Sequence, residues 1–158
     1  MKKFFNVTNH TLTADQKVDA IRVWGELEFI DLDPELKKLW GSIPPEEGIS
    51  GVAKYLAPVL NYLARTVELG DIVHVAGDFT AVTLAATIIQ QNNGFAVSST
   101  SKRDVVETVL PDGSVSKQST FKHVLFRAVL GNQDYLDIAD EIDEIWEGTE
   151  WDKSKLDN

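Results

Sequence analysis

The run Ile72-Val73-His74-Val75-Ala76 constrains the fold more than any other stretch of the chain. It is apolar except at His74, and Gly70-Asp71 and Gly77-Asp78 bound it on either side. A strand apolar on both faces needs cover on both, the setting of a central strand in a parallel sheet. A helical pattern from about Thr80 to Gln91 follows at once, and Asn92-Asn93-Gly94 closes it before a strand opens at Phe95–Ser98. Strand, helix, strand in that order is a β-α-β unit.

The alternation extends toward the start of the chain. Residues 3–8 (KFFNVT) and 27–32 (LEFIDL) have strand composition. Between them Thr13-Ala14-Asp15-Gln16 has the form of a capping box, followed by Val18, Ile21 and Trp24 at helical spacing and ended by Gly25. Asp33-Pro34 opens a short helix through Trp40, and Ile43-Pro44-Pro45 breaks the chain. Val52, Leu56, Val59, Leu60 and Leu63 form one stripe of a helical pattern over 49–67, which Pro58 kinks or divides. Beyond Ser98 the pattern changes. Residues 103–110 alternate, Pro111-Asp112-Gly113-Ser114 is a hairpin turn, and residues 115–129 alternate again.

The expected architecture is α/β: a mostly parallel sheet with helices on both faces and an antiparallel hairpin extension on its C-terminal side. Leu136, Ile138, Ile142 and Ile145 then predict a C-terminal helix. One domain covers 1–148, with that helix at about 134–147, and residues 149–158 are a polar tail. A length of 158 residues fits a single domain.

Charge and composition narrow the function. Residues 134–158 carry 10 acids and 2 bases, so most of the formal net charge of −10 sits there. An acidic chain is not built to coat DNA or an anionic membrane, although a local basic site is compatible with it. Cysteine is absent, which removes disulfides, thiolate metal sites and a cysteine nucleophile. No apolar run reaches the ~18 residues of a membrane span, and the apolar start stops at Val7, too soon for a secretory signal. A cytoplasmic location is the expectation.

In an open α/β sheet, ligands gather at the carboxyl ends of the strands. Three segments are expected to form loops there: 8–13 (TNHTLT), 76–81 (AGDFTA) and 98–103 (SSTSKR). The first two open onto helix N-termini, which favour an anion. Thr13 and Asp78 serve equally well as ordinary helix caps. Neither a G-x-G-x-x-G fingerprint nor a P-loop lysine motif is present, so a dinucleotide or ATP site lacks its signature. No two histidines have metal-ligand spacing, and neither a metal nor a cofactor is expected. His74, inside the apolar run, reads as a satisfied core residue. Lys102, Arg103, Lys117, Lys122 and Arg127 form a local basic cluster, which also suits an edge strand guarded against aggregation. In Phe121–Arg127 strict alternation puts His123 and Arg127 on one face and Lys122 on the other.

Four stretches together resemble a known family. They are Asn9-His10-Thr11-Leu12-Thr13-Ala14-Asp15-Gln16; Glu35–Trp40 with Ile43-Pro44-Pro45; Gly77-Asp78-Phe79; and Ser99-Thr100-Ser101-Lys102-Arg103 leading to Phe121–Arg127. In order and spacing they resemble small stand-alone CRISPR-associated proteins of type III loci, related to CARF (CRISPR-associated Rossmann fold) domains and regarded as ring nucleases. The resemblance spans about residues 4–129 and leaves the acidic C-terminal helix outside it.

It implies a Rossmann-like, CARF-type sheet and a homodimer that binds a cyclic oligoadenylate, cyclic tetra-adenylate first, across its two-fold axis. The implied enzyme is metal-independent. A ribose 2′-hydroxyl attacks the adjacent phosphorus and leaves linear products with a 2′,3′-cyclic phosphate. His10 is the implied acid or base and Arg103 the charge stabiliser, with His123 and Lys122 as further catalytic candidates. Asn9, Thr11, Thr13, Gly77, Asp78, Phe79, Ser99, Thr100, Ser101, Lys102 and Arg127 would contact ribose, adenine or phosphate. A receptor that only sequesters the ring, or an α/β domain binding a small nucleotide, uses the same positioning residues.

Overall fold

The computed structural model describes residues 1–129, so the acidic helix expected at 134–147 and the tail at 149–158 lie outside the described residues. The element order is β1 (Lys2–Val7), α1 (Ala14–Trp24), β2 (Leu27–Asp31), α2 (Pro34–Trp40), α3 (Ile49–Tyr55), α4 (Ala57–Thr66), β3 (Ile72–Val75), α5 (Phe79–Gln91), β4 (Phe95–Val109) and β5 (Val115–Ala128). Local chemistry sets the boundaries. Thr13 and Gln16 exchange side-chain and backbone hydrogen bonds as a complete capping box at the start of α1. Pro58 divides the long helical pattern: Leu56 ends α3 and begins α4, and the proline takes a first-turn position where its missing N–H costs nothing.

The strands form one sheet in the order β2-β1-β3-β4-β5. The pairings β1–β2, β1–β3 and β3–β4 are parallel, and β4–β5 is antiparallel. This corrects the expected mostly parallel, Rossmann-like sheet covered by helices on both faces. The sheet is mixed and curls into a half-barrel. On one face α2, α3, α4 and α5 bury Phe5, Val7, Val73 and Val75. The other face holds Phe4, Ile72 and Val97, and a single helix covers it: Ala20 and Trp24 of α1, joined by Phe126 of β5. Curling brings β5 inward to do what a second helical layer does in a doubly wound sheet. Phe4, fully buried, touches the rings of Trp24, Phe29 and Phe126 at centroid distances of 5.9, 5.4 and 5.4 Å.

β4 departs from expectation as well. Segment 98–103 is no loop: β4 runs unbroken from Phe95 to Val109. Its first residues pair with β3 as far as Val97, and β5 takes over the pairing to Val109. From Ser101 to Phe121 every residue of this ribbon is exposed.

Candidate functional site

A cavity of about 410 Å³ opens at the carboxyl ends of β1 and β3, where the chain order along the sheet reverses. Asn6, Thr8, His10, Thr11, Thr13 and Gln16 line it from β1 and the start of α1, and His74 and Ala76 from β3. Ser99, Ser101, Phe121 and His123 line it from the root of the ribbon.

The β1 side is held by a closed set of hydrogen bonds. Asn6 Nδ2 donates to the His10 carbonyl at 2.7 Å and to Asp31 Oδ1 at 2.8 Å. The His10 N–H donates to Thr8 Oγ1 at 3.1 Å. The His10 backbone is thereby pinned while its side chain stays exposed at the cavity rim. Asn6 and Thr8 are themselves buried polar residues at the end of a core strand, an expensive placement unless hydrogen bonded.

The ribbon side is organised by a bulge. Ser99 pairs with Phe126 and Ser101 with His123, so Val124 and Leu125 stand opposite Thr100 alone. Leu125 N donates to Thr100 Oγ1 at 3.3 Å, which fixes the irregularity. The extra residue shifts the alternation. His123 and Phe126 come to one face, with ring centroids 4.6 Å apart, and Arg127 turns to the other. The expected pairing of His123 with Arg127 is therefore corrected. Lys122, opposite Lys102 in the register, faces away from His123 as strict alternation predicts.

His123 is the centre of a chain of polar contacts. Its Nε2 lies 3.0 Å from Asp19 Oδ2, on α1, and its Nδ1 lies 2.7 Å from Ser99 Oγ. The hydrogen bond from His123, with Arg22 on the other oxygen, holds the Asp19 carboxyl below its ordinary range. A carboxylate needs a donor, so Nε2 carries a proton, and in the neutral ring the Nδ1 lone pair accepts from the Ser99 hydroxyl. The His123 side chain is only 4% exposed. This arrangement has the composition of a serine–histidine–aspartate relay, with Ser99 at the cavity wall.

Of the sequence-predicted residues, the cavity brings together His10, Thr11, Thr13, Ser99, Ser101 and His123. Asn9, Gly77 and Asp78 line a second cavity of about 320 Å³ with Trp40, Gly41, Ile43 and Pro45, and Ala76 borders both. Gly77 has φ +147°, and a Cβ there would stand 3.0 Å from Trp40 Nε1, the nitrogen that donates to the Ala76 carbonyl at 2.8 Å. Asp78 accepts from Ala81 N at 3.0 Å and so caps α5, while Phe79 is 90% exposed. Arg103 shares the cavity face of the ribbon, opposite Phe121, but its guanidinium is engaged with Ser119 Oγ at 2.8 and 3.1 Å. Thr100, Lys102, Lys122 and Arg127 are not among the lining residues.

Sequence reasoning missed Asn6, Thr8, Gln16, Asp19 and Phe121, and placed His74 in a satisfied core. The polar Asn6 and Thr8 inside KFFNVT were a usable signal, as was His74 inside IVHVA. The Asp19–His123 contact spans 104 residues and had none. Among the described residues there is no cluster of histidine and carboxylate able to hold a metal ion, and no helix long and apolar enough to cross a membrane.

Fold and site thus define a single curled α/β sheet with a polar, imidazole-bearing cavity at its strand ends. The chain belongs to the Uncharacterized protein MJ1673 family, whose sequence model matches residues 2–127. It is 34% identical over 127 residues to the Uncharacterized protein MJ1673 of Methanocaldococcus jannaschii, covering 80% of this chain and 96% of that protein. No solved structure matches the chain. Every residue lining the strand-end cavity falls within the matched segment. This membership, with the curled mixed sheet, replaces the CARF-type, CRISPR-associated label that the motifs suggested.

Proposed function

We propose that the strand-end cavity binds a cyclic oligoadenylate, cyclic tetra-adenylate first, and cleaves it without a metal. The observation that carries this reading is that His10 and His123, from distant parts of the chain, line one cavity. Cleavage by an internal hydroxyl needs two proton transfers, and two imidazoles are the natural pair for them. The ribose 2′-oxygen forms a bond to the adjacent phosphorus and the bond from phosphorus to the 5′-oxygen breaks. The 2′-hydroxyl proton passes through Ser99 to His123 Nδ1, while Asp19 stabilises the imidazolium that forms. Exposed His10 supplies the proton to the departing 5′-oxygen. The products are linear oligoadenylates ending in a 2′,3′-cyclic phosphate. Arg103, on the cavity face of the ribbon, offsets the charge on phosphorus once released from Ser119.

At about 410 Å³ the cavity is at the small end of ligand sites. A ring of four nucleotides calls for two copies of the chain, and a two-fold ring on a two-fold dimer meets the same half-site twice. The absence of cysteine suits a reducing cytoplasm.

One observation favours a second reading. Among the described residues no lysine or arginine lines the cavity, so no cation there offsets the charge that builds on phosphorus, which suits a receptor that holds the ring without turning it over. Incubation with radiolabelled cyclic tri-, tetra- and hexa-adenylate in EDTA separates the two. Linear products support cleavage, and His10→Ala then slows turnover at least tenfold with little change in binding. Stoichiometric capture of an intact ring establishes the receptor. A protein that neither binds nor cuts any of the three rings refutes both.

A further inference from the structure

His74 is all but 4% buried on β3, yet its Nε2 has no hydrogen-bond partner. Asn6 decides which proton the ring carries. Its amide nitrogen faces two acceptors, the His10 carbonyl and the Asp31 carboxylate. Flipping that amide would set oxygen against two oxygens. Asn6 Oδ1 is therefore the atom 3.2 Å from His74 Nδ1, and an oxygen there demands a donor. Nδ1 carries the hydrogen, and Nε2 is a bare lone pair. A second proton is disfavoured, because burial and the neighbouring His123 push the His74 pKa down to about 4.

A buried acceptor left unmet is a standing cost to the fold. The imidazole belongs to the cavity lining while Nε2 itself is closed to water, so a ligand that displaces the adjoining lining supplies the missing donor. We propose that His74 Nε2 is the recognition acceptor for an uncharged N–H or O–H donor of the bound nucleotide, the exocyclic amine of adenine or a ribose hydroxyl. This rests on the cavity being a nucleotide site. The lone pair attracts such donors and repels phosphate oxygens, so it orients the ligand as well as selecting it. The neutral end of the nucleotide enters toward β3, and its phosphate stays at the rim near His10.

The test uses the unmodified protein and the ¹⁵N resonances of its imidazoles, with adenosine, inosine and 2′-deoxyadenosine 5′-monophosphates as probes. At rest His74 should show the Nδ1–H tautomer, and adenosine monophosphate should shift its Nε2 signal. Inosine monophosphate replaces the amine with a carbonyl, and the deoxy analogue lacks the hydroxyl. One of the two should bind about tenfold more weakly, which names the donor. An Nε2–H tautomer at rest, an Nε2 signal that adenosine monophosphate does not move, or equal affinity for all three overturns the proposal. A shift without ring cleavage refutes the cleavage reading and leaves this one standing; cleavage without a shift does the reverse.

Discussion

The two ends of β4 live in different environments. Near its start, Ala96 and Val97 are buried beside β3, whereas from Ser101 onward it is exposed along with residues 115–122 of its partner β5. The parallel part of the sheet derives its order from burial: Phe4, Val7, Ile72, Val73 and Val75 are sealed between α1 on one side and four helices on the other. The ribbon derives its order from backbone pairing, with Val105, Val106 and Val109 left in solvent. The cavity sits where the two meet. Its floor comes from the sealed part and one wall from the ribbon root, so half of its geometry is rigid by packing and half is held by a few polar contacts.

The sharpest way to break this contrast is to empty the sealed part. Phe4→Ala should cost about 3–5 kcal/mol in urea unfolding. Val106→Ala on the ribbon should stay within about 0.5 kcal/mol. Equal losses at the two positions would show that the ribbon is buried in solution.

The next effect concerns pH. His74 is neutral in the fold, with its pKa pushed down to about 4 from an ordinary 6.5. Between those values the unfolded chain binds the proton and the folded one does not, so stability should fall as pH drops through that window. The contribution is on the order of 3 kcal/mol, present above pH 6.5 and lost by about pH 4. His74→Gln should flatten that part of the pH–stability profile, and an unchanged profile would remove His74 as its cause.

The smallest effect tests the tie between the two regions. Asp19→Asn weakens the grip of α1 on His123 and should cost about 1–2 kcal/mol. The loss should appear as faster amide exchange across the Ser99–Phe126 and Ser101–His123 pairs, with β1 and β3 unchanged. Faster exchange spread evenly over all strands would mean that the contact supports the whole sheet.

Element identities were legible because they are local. The capping box at Thr13, the proline at 58 and the Gly113 turn act within a few residues, and each stands where its pattern places it. Sheet curvature was not legible, since it depends on how β4 and β5 wind together rather than on any one motif. The serine and threonine run at 98–101 looked like a loop because small polar residues carry no apolar alternation, and pairing to β5 overrode that impression. The bulge carries no glycine to announce it, yet it decides which face His123 takes. His10, Thr11, Thr13 and Ser101 were found by their place at strand ends and in the polar run. Asp19 was lost among ordinary surface acids of a helix.

Because β4 is shared between two sheet regions, its alignment with β3 dictates what the cavity contains. Side chains alternate with a period of two, so sliding β4 by a single position would withdraw the hydroxyls of Ser99 and Ser101 and present Thr100 and Lys102 instead. A neutral chamber would become a cationic one with no change in sequence composition. Deleting Ser98, which slides β4 in that direction, is therefore a change of chemistry, even though it alters no histidine.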